Sequence, residues 1–187
     1  MVCRASVMPP LEYLRSSGGQ MRDQAIHFFD LLRFLTGDEV TTVAALGAAL
    51  ALAEIAEFDD VDTSIVMLRM RGGALAQLDN TRRTGHGYDE RISLLGPQGV
   101  IESGSQASRG VTLWQGARCI QPGLYPDWFS RVEGSYYAHL DAFVRSLGGE
   151  AVPDLPGLLD GLRAQAIAEA AVLSLRQGQF VSVEPLA

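Results

Sequence analysis

The sequence predicts an α+β domain, built as an open, mainly antiparallel sheet with helices packed on one face. Three observations carry that expectation. One helical stretch comes first, a run of period-two segments joined by glycine turns follows, and two long helical stretches close the chain. A doubly wound parallel sheet would alternate strand and helix throughout, and this chain does not.

The first helix is expected over Met21 to Leu35. Apolar residues at Ile26, Phe28, Phe29, Leu31, Leu32, Phe34 and Leu35 give it helical density, and Thr36-Gly37 supplies its stop. Val40 to Leu52 is apolar and alanine-rich, part strand and part undecided. From Asp62 the period becomes two. Ser64 to Arg71 reads as a strand, Gly72-Gly73 as a turn and Ala74 to Arg82 as the hairpin partner. Tyr88 to Leu95 is a third strand, closed by Gly96-Pro97-Gln98-Gly99. Short strands are expected at Val100–Glu102, Val111–Gln115 and Cys119–Gln121. Helices follow at about Asp127 to Leu147 and Leu158 to Gln177, and Phe180–Val183 could return to the sheet.

Composition narrows the function. The chain has 187 residues, 47% hydrophobic and 20% charged, a normal globular balance for one compact domain. A net charge of −7 argues against a protein that tracks nucleic-acid phosphates. All 15 cationic residues are Arg, so no lysine can form a Schiff base, bind phosphate as in a P-loop or act as an ammonium acid. Cys3 and Cys119 have no CxxC spacing, and neither a signal-type N-terminus nor a bilayer-length apolar run occurs. A cytoplasmic protein without a membrane partner is expected.

Two groups of residues could carry chemistry. Asp23, His27 and Asp30 stand at i, i+4 and i+7 and share one face of the first helix. An imidazole beside a carboxylate can serve as a general base near neutral pH. The same spacing also fits a structural arrangement, with Asp23 at the positive helix end and His27 satisfied in the core. A metal site would need a third ligand, such as His86, and no ligand set is assigned. The second group, Asn80 to Arg91, concentrates amide, guanidinium, imidazole and phenol groups between two strands. It could grip a polyhydroxylated ligand or be a solvated strand end. No G-x-G-x-x-G follows a strand and opens a helix, so the residues for a dinucleotide-binding βαβ unit are absent from this sequence.

Taken together, Ser17 to Asp30, Val61-Asp62-Thr63, Leu78 to Arg83, Gly87-Tyr88-Asp89-Glu90-Arg91, Gly96 to Gly99 and Ala168 to Leu175 resemble the C-terminal domain of the Gfo/Idh/MocA oxidoreductases. The inositol 2-dehydrogenase branch is the nearest in pattern. The resemblance implies that His27 is the proton acceptor and Asp23 its orienting carboxylate, with Tyr88, Asn80 and Arg82 as substrate contacts. It implies a polyol or sugar substrate and a homo-oligomer formed through the open sheet face. NAD or NADP would serve the complete enzyme, none being bound by this chain alone. The chain departs from the family in lacking the preceding Rossmann domain and the lysine of the family's E-K-P motif. Phe28 stands where Asp often follows the His, and the N-terminal strand is expected to be cut short. Residues 1–187 are thus expected to form one substrate-binding and oligomerisation domain that is inactive alone. The alternative is a non-enzymatic binding or assembly module derived from it.

Overall fold

The computed structural model describes residues 1–184. Seven strands form one open sheet: β1 (Val2–Arg4), β2 (Val40–Ala48), β3 (Thr63–Met70), β4 (Leu75–Thr81), β5 (Asp89–Gly96), β6 (Gly99–Ser103) and, numbered last in the chain, β9 (Val181–Ser182). Their order is β6-β5-β1-β4-β3-β2-β9, and only the β1–β4 pair is parallel. Strands β7 (Leu113–Gln115) and β8 (Arg118–Ile120) make a separate hairpin.

The alternation in β3 fixes which face is covered. Ser64, Val66, Leu68 and Met70 are buried, whereas Ile65 and Met67 are about half exposed on the other side. Helix α2 (Ile26–Thr36) lays Phe28, Phe29 and Leu32 on the inner face and ends at Gly37, whose φ of 62° gives the left-handed cap. Helix α4 (Leu158–Gln177) buries Ala164, Ile167, Ala168, Ala171 and Ser174 in one stripe. The alanines and Ser174 of this stripe let it lie close to β2, where the Ala45 N–H donates to Ser174 Oγ at 2.9 Å. Helix α3 (Trp128–Leu147) buries no residue, although Asp127 caps it by accepting the Ser130 N–H at 2.8 Å.

Several local expectations change. The first helix is divided into a π-helical turn, Met21–Ala25, and α2. A short helix α1 (Leu11–Ser16) and a 3₁₀ turn over Ala53–Phe58 lie where the pattern predicts no element. The undecided apolar run becomes β2, which pairs with β3 along its length and with β9. The N-terminal segment is not lost to the sheet. Val2–Arg4 is short, but it sits between β4 and β5 and joins the two.

Candidate functional site

A cleft of about 1410 Å³ runs along α2, beside Cys3 of β1, Arg82 just past β4, Glu90 of β5 and the start of α3, to the loop after α2 and the start of α4. His27, Asp23, Arg82, Tyr88 and Glu90 all line it. The π-helical turn brings Asp23 and Gln24 to its edge, a kind of irregularity common at functional sites. The turn is entered through Gly18 and Gly19, both with φ near 90°. At Gly19 a Cβ would stand 2.9 Å from Asp60 Oδ1, the atom that accepts the Gln20 N–H.

His27 is exposed on the cleft, and its side chain makes no hydrogen bond among the described residues. The arrangement in which it is satisfied in the core is therefore not the one adopted. Asp23 is held elsewhere. Its Oδ1 accepts the Tyr13 hydroxyl at 2.5 Å, and its Oδ2 accepts an Arg82 N–H at 2.6 Å. With both oxygens engaged, Asp23 does not hydrogen-bond His27 as the shared face suggests. The reason is energetic. Arg82 is almost fully buried, and a guanidinium so placed requires a carboxylate at contact distance. Tyr13 keeps its proton more firmly because its hydroxyl donates to Asp23.

Tyr88 is buried with its hydroxyl donating to Glu90 Oε1 at 2.8 Å. Burial, with the nearby Cys3 and Glu90, raises its pKa well above the phenol range, so it remains a donor. The Cys3 thiol beside it is pushed up to about 12, chiefly by burial, and is no nucleophile at neutral pH. Asn80 does not reach the cleft. It is fully buried on β4 between Cys3 of β1 and Ser64 of β3, and its side-chain amide has no hydrogen-bond partner among the described residues. Arg82 lines the cleft but spends its charge on Asp23.

Glu90, Tyr13 and Arg131 stand outside the set of site residues that the sequence suggests. For Glu90 a signal exists: it follows Tyr88 by two residues on one extended segment and must share its face. Tyr13 lies on a helix too short to show a period, and Arg131 stands on α3, about 40 positions from Glu90 in sequence, where no local pattern links the two. His86 lies beside Asp89, 3.5 Å away, and no group of three or more His, Cys, Asp or Glu among the described residues could hold a metal ion. The cations on the cleft wall are committed to carboxylates, Arg33 to Asp30 and Glu39, Arg82 to Asp23 and Arg163 to Glu39. Glu90, Asp127 and Asp154 add further negative groups, a balance that disfavours a pyrophosphate here.

Comparison with known proteins agrees with this architecture. Residues 12–183 match the oxidoreductase family C-terminal alpha/beta domain of the Gfo/Idh/MocA type. The chain is 37% identical over 178 residues to myo-inositol 2-dehydrogenase of Thermotoga maritima, covering 94% of this chain and 52% of the relative. It is 27% identical over 176 residues to scyllo-inositol 2-dehydrogenase (NAD(+)) of Bacillus subtilis, covering 94% and 51%. The solved myo-inositol dehydrogenase of Corynebacterium glutamicum superposes with a TM-score of 0.88 at 29% identity, over 99% of this chain and 55% of that one. The chain spans about half the length of the curated relatives it matches. An open sheet with α2 and α4 on its inner face, and a match that runs through nearly every element, lead to one assignment: this chain belongs to the Gfo/Idh/MocA oxidoreductases and is a C-terminal domain of that family.

Proposed function

We propose that this domain is the substrate-binding half of an NAD(P)-dependent inositol or sugar dehydrogenase, acting on a ring carbinol. The observation that carries the reading is that an exposed His27, its side chain unbonded, and Tyr88 line one cleft. A free imidazole can accept the proton of a bound hydroxyl, while Tyr88 and Glu90 supply hydrogen-bonding groups for neighbouring hydroxyls. An acidic wall disfavours phosphorylated ligands and suits a neutral polyol. Asp23 contributes by holding Arg82 and Tyr13 and so keeps the cleft floor in place; it is a positioning residue in this account. The nicotinamide would receive the hydride in the complete enzyme, and its binding groups would come from outside residues 1–187. The domain would then be inactive alone, in the cytoplasm, and homo-oligomeric through the outer sheet face.

Calorimetric titration separates the two halves of this claim. The chain is expected to bind myo-inositol saturably in the millimolar range and to show no saturable binding of NADH. Micromolar NADH binding, or no polyol binding, overturns the reading. The membrane is not a partner in this account, and no helix among the described residues is long and apolar enough to cross one.

A further inference from the structure

Beside the main cleft lies a smaller hollow of about 110 Å³, walled by His27, Glu90, Arg131 and Ser103 over Phe28 and Leu31. Its size, a few times the share of one water in the liquid, suits a single hydroxyl-bearing substituent rather than a whole ring. Glu90 belongs to both cavities, as does His27.

The other carboxylates of the main cleft near His27 are engaged and stay outside this hollow. Asp23 serves Tyr13 and Arg82. Asp30 accepts from Arg33 at 3.1 Å, and Asp127 caps α3. Glu90 borders the hollow and keeps one oxygen out of any hydrogen bond among the described residues. Its Oε1 accepts from Tyr88, whereas its Oε2 faces an Arg131 nitrogen 4.0 Å away, too far for a direct hydrogen bond. An acceptor and a donor separated in this way match one functional group well. A hydroxyl donates to the carboxylate and accepts from the guanidinium, and so satisfies both at once. A hydrogen, a methyl or a carbonyl in its place satisfies neither or only one.

We propose that Glu90 and Arg131 grip one ring hydroxyl of the substrate, next to the carbinol served by His27, and thereby determine specificity. This rests on the polyol-binding reading given above. It also accounts for Arg131, whose side chain is mostly covered at the foot of a helix that buries no residue.

The test is a binding cycle on the full chain, with myo-inositol and the set of monodeoxy-inositols as probes, against wild type and E90Q. The amide oxygen that this substitution introduces can still accept from Tyr88, so that contact is preserved while the free acceptor is replaced by a donor. Myo-inositol is expected to bind E90Q about ten-fold or more weakly than wild type. One monodeoxy-inositol is expected to bind both proteins equally, because it lacks the gripped hydroxyl. If myo-inositol binds wild type and E90Q alike, the grip is refuted and the polyol site stands. If every deoxy compound suffers the same loss in E90Q as myo-inositol, Glu90 acts on the fold and not on a hydroxyl, and the grip is again refuted. If wild type binds no inositol, the polyol reading itself falls and takes this inference with it.

Discussion

Asp23 and His27 stand one turn apart and differ in bonding, Asp23 engaged on both oxygens and the His27 side chain on neither nitrogen, so their removal should register differently. Truncating Asp23 to Ala leaves the buried Arg82 with only Asp60, 3.8 Å away, and should cost about 2–3 kcal/mol in denaturant unfolding. Truncating the exposed, unbonded His27 to Ala should change stability by no more than about 0.5 kcal/mol while weakening polyol binding. Asp62 gives a pH-dependent counterpart. Burial tends to raise its pKa, but the backbone N–H groups of Leu50, Leu52 and Ala51 and the Thr63 hydroxyl outweigh that and lower it. A depressed folded value means that its stabilisation is complete above the ordinary carboxylate pKa, about 4, and is lost as pH falls through the lowered value. Acid unfolding of Asp62→Asn should therefore begin from a lower stability and fall less steeply below about pH 4 than wild type. The common helix face of Asp23 and His27 was legible from spacing alone. Their separate partners were not, since Arg82 and Tyr13 reach Asp23 only through the tertiary fold.

At the scale of elements, legibility followed the strength of local pattern. The β3–β4 hairpin was readable because alternation and a Gly72-Gly73 turn agree. Strand β1 was not, because three residues carry no measurable period and its partners are 75 or more positions away in sequence. The π-helical turn was invisible for a similar reason: one widened turn barely alters the apolar pattern of a long helix. Helix α3 was legible as a helix but not as an uncovered one. Phe129, Tyr136, Leu140, Phe143 and Leu147 are all about half exposed or more, whereas α4 buries its stripe against β2. Amide hydrogen exchange should follow this contrast, with α4 protected to near the global stability and the C-terminal half of α3 exchanging far faster. Equal protection of the two helices in the isolated chain at low concentration would contradict it.

Across the whole molecule, α2 and α4 cover one face of the sheet and leave exposed apolar residues on the other. Leu46, Ile65, Met67, Leu75 and Leu95 are each about half exposed or more, on the side away from α2 and α4. A surface of this kind in water favours self-association. Sedimentation at micromolar concentration should show a dimer or larger species, and a charged substitution at Ile65 should shift it toward monomer. The open antiparallel plan was legible from the order of patterns, whereas which groups meet in the cleft depended on packing that no local window contains. The central claim concerns that cleft, and its most direct test is site-resolved. Myo-inositol should be titrated into the chain while the ring resonances of His27 and Tyr88 are followed by NMR. Both should shift together along one saturable curve, with residues of the outer sheet face unmoved. Saturation with shifts confined to another surface, or with His27 and Tyr88 unchanged, would contradict the account.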